Sequence, residues 1–96
     1  MMKVDLKHYA PIISDRATGD SIYREIKSKH PETNRVEIYL TGIVSMATYS
    51  AKQIFGRLYI ELGSDIFYRN IILKDVSEDV LFLIKLGIKH ALREVK

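Results

Sequence analysis

The sequence predicts a small α/β domain built in the order β-α-β-α-β-α. Three observations carry that expectation. Short segments alternate apolar and polar residues with the period of two that a half-buried strand requires. Longer segments between them repeat their apolar residues at helical spacing. The two kinds of segment alternate along the chain, the pattern of a sheet with helices packed on it.

Residues 3–9 are the first expected strand, with Val4, Leu6 and His8 on one face and Pro11 marking the exit. Ser14-Asp15 reads as an N-cap followed by an acid in the first turn. The helix it opens carries Ile22, Tyr23 and Ile26 on one side and stops at Lys29-His30-Pro31. Gly19 inside it costs about 1 kcal/mol relative to alanine and suggests a close packing contact with the sheet. Residues 35–41 alternate Val36, Ile38 and Leu40 with Glu37 and Tyr39, a second strand. A helix over 48–62 follows and ends at Gly63, a C′ glycine. Residues 66–73 are rich in β-branched and aromatic side chains and read as the third strand. Ser77 caps the last helix, Glu78 and Asp79 fill its first turn, and it runs to about Val95. Right-handed crossovers make the second and third strands parallel neighbours. The first strand is expected antiparallel at an edge, giving a small mixed sheet.

The chain has 96 residues, 47% hydrophobic and 28% charged. That is enough for one domain over 1–96 with a modest core. Its longest apolar run, Val80 to Ile84, falls far short of the ~20 residues that cross a bilayer. The start, Met1 to Asp5, is charged and lacks the apolar centre of a secretory leader. There is no cysteine, so no disulfide or thiol chemistry. A cytoplasmic setting is expected. The net charge of +3 is mild, and outside the last helix the basic residues are scattered rather than gathered into a patch. That argues against a nucleic-acid binder.

Catalytic patterns are missing. His8, His30 and His90 have no metal-ligand spacing, and neither a phosphate-binding glycine loop nor a nucleophile elbow occurs. No metal, no cofactor and no enzymatic activity are expected. Three constellations remain. Thr41, Ser45, Thr48, Tyr49 and Ser50 gather hydroxyl groups around a helix start, where they would cap free N–H groups or mark an anion or phosphorylation site. The helix over 48–62 has a core stripe of Ala51, Ile54, Phe55, Leu58 and Leu62. Beside that stripe, Tyr49, Gly56 and Ile60 lie together, flanked by Lys52 and Gln53, as a groove for a partner or as incidental exposed residues. The last helix has a core arc of Val80, Leu81, Leu83, Ile84, Ala91, Leu92 and Val95. Its opposite face carries Glu78, Lys85, Lys89, Arg93 and Lys96. Phe82 sits in the middle of that charged face, which suggests a second contact with another chain or packing under the N-terminal segment.

The run Leu40-Thr41-Gly42-Ile43-Val44-Ser45-Met46-Ala47-Thr48-Tyr49-Ser50-Ala51, its amphipathic helix and Leu62-Gly63 resemble STAS domains, the sulphate-transporter and anti-sigma-factor-antagonist domains. In particular they resemble the small bacterial STAS-like family of unknown function. There a Ser-Arg or similar helix start precedes a strand and a loop leading into a helix; Ser14-Asp15-Arg16 corresponds to that start. The resemblance spans about residues 10–92. It implies a mixed sheet with helices mainly on one face, no enzymatic activity, and a contact site at the loop before the second helix. In anti-sigma antagonists a turn of Asp-Ser-Ser-Gly type carries a serine phosphorylated by a partner kinase with the histidine-kinase-type ATPase fold. Here Ala47 takes the aspartate place and Thr48 the serine place, so the hydroxyl is kept while the acid and the glycine are not.

The leading expectation is therefore a STAS-like regulatory module. It would dock a protein partner, a histidine-kinase-type ATPase by the resemblance, through Ser45, Thr48, Tyr49, Lys52, Gln53, Gly56 and Ile60. Phosphorylation at Thr48 is a secondary expectation. Phe82, Lys85 and Lys89 form the second candidate contact, and a homodimer would cover an exposed edge or face of so small a sheet. Two alternatives stand beside it. One is a small-ligand or nucleotide sensor using the same helix N-terminus. The other is a weak nucleic-acid binder through Lys85, Lys89 and Arg93, whose binding would fall steeply with salt.

Overall fold

The computed structural model describes residues 2–95, so Lys96 lies outside the described residues. Its strands are β1 (Met2–Asp5), β2 (Ile12–Ile13), β3 (Val36–Tyr39), β4 (Ser45–Met46) and β5 (Ile71–Lys74). Its helical segments are α1 (Arg16–Lys27), α2 (Thr48–Ala51), a π-helical turn (Lys52–Gly56), α3 (Arg57–Leu62), α4 (Ser64–Asn70) and α5 (Glu78–Glu94). α2, the π turn and α3 run on without a break as one long helix over 48–62, as the sequence predicts.

β1, β3 and β5 form one sheet in that order, and every pairing is parallel. The expected antiparallel first strand, and with it the mixed sheet, is thus corrected. α1 carries the chain back between β1 and β3, so both strands run the same way. Both crossovers step in one direction across the sheet, and right-handed connections then place α1 and the long helix on the same face. The burial pattern agrees. Val4, Val36, Ile38 and Ile71 are buried beneath the helices, while Lys3, Asp5, Glu37, Tyr39, Ile72 and Lys74 line the other face, half-buried or exposed. That face is a charged lattice, with Lys3 over the Tyr39 ring and the Tyr39 phenol donating to Glu37. One core cluster joins the inner sheet face to Ile22, Ile26, Ile54, Phe55, Leu58, Val80 and Ile84.

Two strands are shorter than their composition suggests. β1 ends at Asp5, whose carboxylate accepts from the Lys7 N–H at 2.9 Å. That local turn starts a 3₁₀ helix over Lys7–Tyr9 and leaves His8 exposed rather than on the inner face. The segment 66–73 is helical through Asn70, and only Ile71–Lys74 is strand. Its partner β3 has only four residues to pair with. Phe67 and Asn70, three apart, turn inward: Phe67 packs against Tyr59, and Asn70 donates to the Pro31 carbonyl at 2.7 Å. Tertiary packing overrides β propensity here.

Most of the stop and start signals stand. Asp15 is the N-cap of α1, accepting from the Thr18 N–H at 2.9 Å, one residue later than Ser14. Ser77 caps α5 by accepting from the Val80 N–H at 3.1 Å. Gly63 ends the long helix at φ +84°, a conformation that L side chains rarely adopt.

Candidate functional site

The two short strands that sequence patterning does not reveal place the site. Beyond the end of the main sheet, Ile12 and Ile13 pair in parallel with Ser45 and Met46. The Ala47 N–H donates to the Ile13 carbonyl at 2.8 Å, extending the ladder. A helix begins shortly after each strand, at Arg16 and at Thr48. The small ladder therefore sets the two helix starts side by side, and the Tyr49 phenol closes the gap by donating to the Ser14 carbonyl.

From there the long helix runs between α1 and α5. Tyr49 and Ile60 are exposed along it, with Lys52 and Gln53 half-buried between them. Tyr49 and Lys52 form a ridge with a shallow cavity on each side. Toward α1 lies one of about 400 Å³ lined by Arg16, Tyr49, Lys52 and Gln53. Toward α5 lies another of about 400 Å³ lined by Thr48, Tyr49, Lys52, His90, Arg93 and Glu94. Further along, a cavity of about 350 Å³ has Arg57, Ile60, Ala91 and Glu94 on its walls. The sequence-predicted residues Thr48, Tyr49, Lys52, Gln53 and Ile60 thus share one continuous outer surface. Ser45 is half-buried in β4 at its base.

Gly56 does not belong to that surface. It is buried against α5, where an added Cβ would stand 2.7 Å from the Ala91 Cβ and 3.0 Å from the Gly87 carbonyl oxygen. Gly87 approaches Ala51 as closely, with a Cβ there meeting Ala51 atoms at 2.6 Å. At about 100° per residue, Ala51 and Gly56 would stand roughly 140° apart on an α-helix. The wider π turn, in which the Arg57 N–H reaches back to the Lys52 carbonyl, rotates Gly56 toward α5. The sequence carries a trace of this in its small residues Ala51, Gly56, Gly87 and Ala91. α5 settles accordingly: Gly87 and Ile88 join its buried face, whereas Leu92 and Val95 are exposed.

The hydroxyl cluster does not cap. Ala47 is the N-cap of the long helix and has no side chain to offer, while Thr41 donates to Asp75 at 2.8 Å. Thr48 is the first helical residue, half-buried, and the Ser50 hydroxyl is buried without a partner among the described residues.

Polar contacts hold the surface in shape. Gln53 Nε2 donates to the Arg16 carbonyl at 3.0 Å, and Gly19 leaves the room its amide occupies. Lys52 pairs with Glu94 on α5. Glu61, which sequence reasoning missed, ties α1 to α3. It accepts from the Tyr23 phenol and pairs with Lys27 at 3.4 Å and Arg57 at 3.3 Å, and Arg57 lies over the Tyr23 ring. Burial pushes the Glu61 carboxyl up. The Tyr23 hydrogen bond, then Lys27 and Arg57, outweigh it and hold the carboxyl below its ordinary value. Burial, and then the bond to Glu61, push the Tyr23 phenol up to about 12.

The second candidate contact is exposed: Phe82 at 64%, with Lys85 and Lys89 on the same helix. Among the described residues, the N-terminal segment does not cover Phe82. Among the described residues no cluster of His, Asp and Glu could hold a metal ion, and no helix is long and apolar enough to cross a membrane. In comparisons with known proteins, no family model, curated protein or solved structure matches the chain.

Proposed function

We propose that the protein is a non-enzymatic regulatory module that docks a protein partner along the long helix, from the Ser45 loop through Thr48, Tyr49, Lys52 and Gln53 to Ile60. The carrying observation is the ridge itself. An exposed aromatic is held in place by its phenol, flanked by two cavities, and continued by an exposed isoleucine. Aromatic anchors held in advance lose little entropy on binding, and they are the residue type that dominates interface energetics. The resemblance of residues 40–51 to STAS domains supports the same surface and suggests a histidine-kinase-type ATPase as the partner. Phosphorylation at Thr48 would place negative charge in the cavity that Lys52, His90 and Arg93 line.

A photo-crosslinking residue in place of Tyr49 or Ile60, in the native host, is expected to trap one discrete partner. The same residue at Tyr68, exposed on α4, is not. Adducts from position 68 alone, or none from 49 and 60, would remove the docking reading. A Thr48→Glu change is expected to shift affinity for the trapped partner; unchanged affinity removes the phosphorylation idea but not the docking surface.

The cavity beside Thr48, where Arg93 has no carboxylate partner among the described residues, also favours a second reading, a sensor of a small anionic ligand or nucleotide. A ligand at about 100 times its dissociation constant would add about 2.7 kcal/mol, visible as a raised melting temperature. A nucleotide screen without any such shift removes that reading.

A further inference from the structure

The charges on this surface are unevenly committed. Each carboxylate along it already has a cation or a donor. Asp15 caps α1, Asp20 pairs with Arg24 at 2.5 Å, Glu61 holds Lys27 and Arg57, and Glu94 holds Lys52. Arg16, His90 and Arg93 have no carboxylate partner among the described residues. Arg16 lines the cavity on one side of the Tyr49 ridge, and His90 and Arg93 line the cavity on the other. The surface thus offers uncommitted positive charge on both flanks of one exposed aromatic ring.

We infer that the docked partner presents an acidic segment that crosses the Tyr49 ridge, with carboxylates reaching Arg16 on the α1 side and Arg93 on the α5 side. This rests on the docking reading above and names the chemistry of its occupant. Planar guanidinium groups bind carboxylates by two parallel N–H bonds, and two of them on opposite flanks fix the line along which a segment crosses the ridge. The Lys52–Glu94 pair is no obstacle, because the Glu94 side chain is 63% exposed and such surface pairs are worth under about 1 kcal/mol. A nucleic-acid strand fits less well. Its phosphates carry charge at every nucleotide and call for a continuous basic groove, whereas here the uncommitted arginines stand apart on opposite flanks of Tyr49, an arrangement that separate carboxylates can match. Opposite charge on the partner would also speed encounter, an effect that salt suppresses.

The test is an NMR titration of the ¹⁵N-labelled protein with a short synthetic peptide of Asp and Glu around one Phe. Expected are shifts confined to the start of α1, residues 48–53 and residues 90–94. Affinity should fall about three- to tenfold in Arg16→Glu and in Arg93→Glu, as for a reversed surface ion pair. Lys3→Glu changes the net charge equally but on the open sheet face, and should leave affinity unchanged. Equal losses in Lys3→Glu would reduce the effect to net charge and overturn the inference. So would shifts centred elsewhere, or no shifts at all. Tighter binding of oligothymidylate at the same residues would overturn it in favour of nucleic acid. Failure here is distinct from failure of the docking reading. If the crosslinker at position 49 traps a partner whose affinity ignores both arginine reversals, the surface stands and its acidic occupant does not.

Discussion

At the scale of single residues, the tightest constraint is the crossing of the long helix and α5. A Cβ on Gly87 would stand 2.6 Å from the Ala51 backbone carbon, which no rotamer change relieves. Gly87→Ala is therefore expected to lose about 1–3 kcal/mol through overpacking. At about 4–8 °C per kcal/mol for a domain of this size, the melting temperature should drop visibly by circular dichroism. Gly19→Ala meets only the end of the Gln53 side chain, which can swing away, so its cost should be smaller. Glu61 adds a pH dependence. Its folded carboxyl lies below its ordinary value, so it stabilises the fold at pH above that ordinary value, and the contribution is lost as pH falls through the depressed one. Tyr23 acts at the other end. Its phenol is raised from 10.0 to about 12, so its contribution is complete below pH 10.0 and lost as pH rises toward 12. In melting curves taken across pH, Glu61→Gln should flatten the acid limb relative to the wild type. Identical acid limbs would show that the carboxylate carries no linkage.

At the scale of elements, the caps and the π turn matter most. Asp15 and Ser77 each satisfy a backbone N–H that helix geometry leaves free. Replacing either with alanine is expected to cost about 1 kcal/mol, measured by urea denaturation with an unchanged slope. Ser14-Asp15 and Ser77 announce these starts because capping depends on the residue and its immediate neighbours. The π turn is not announced. It exists because Ala51 and Gly56 must both face α5, a requirement set by residues thirty or more positions away. That is why strict α periodicity places Gly56 on the outer surface with Tyr49 and Ile60, whereas the structure buries it. Leu92 and Val95 are misplaced for a related reason: α5 turns its small face, Gly87 and Ala91, toward the long helix, so the residues nearer its end come to the surface.

At the scale of the whole molecule, one core cluster spans the sheet, α1, the long helix and α5, so the chain is expected to unfold as one cooperative unit. Far-ultraviolet dichroism and tyrosine fluorescence should give coincident transitions, and separated midpoints would show that the α1 side and the α5 side unfold independently. The helices cover one sheet face and leave the other lined by Lys3, Asp5, Glu37, Tyr39, Ile72 and Lys74.

The sequence by itself determined the α/β class, the three long helical segments and their approximate ends, the parallel pairing of the two later strands, and the placing of Tyr49 and Ile60, flanked by Lys52 and Gln53, on the outer side of the long helix. Period, capping and glycine signals are local, and local chemistry suffices for them. Only the tertiary structure decided the direction of the first strand, the helical state of 66–70, the burial of Gly56 and the pairing of Ile12–Ile13 with Ser45–Met46. Each of these depends on which distant segment lies alongside. Backbone hydrogen bonds and close packing are satisfied between segments far apart in the chain, and local propensity yields where the two disagree.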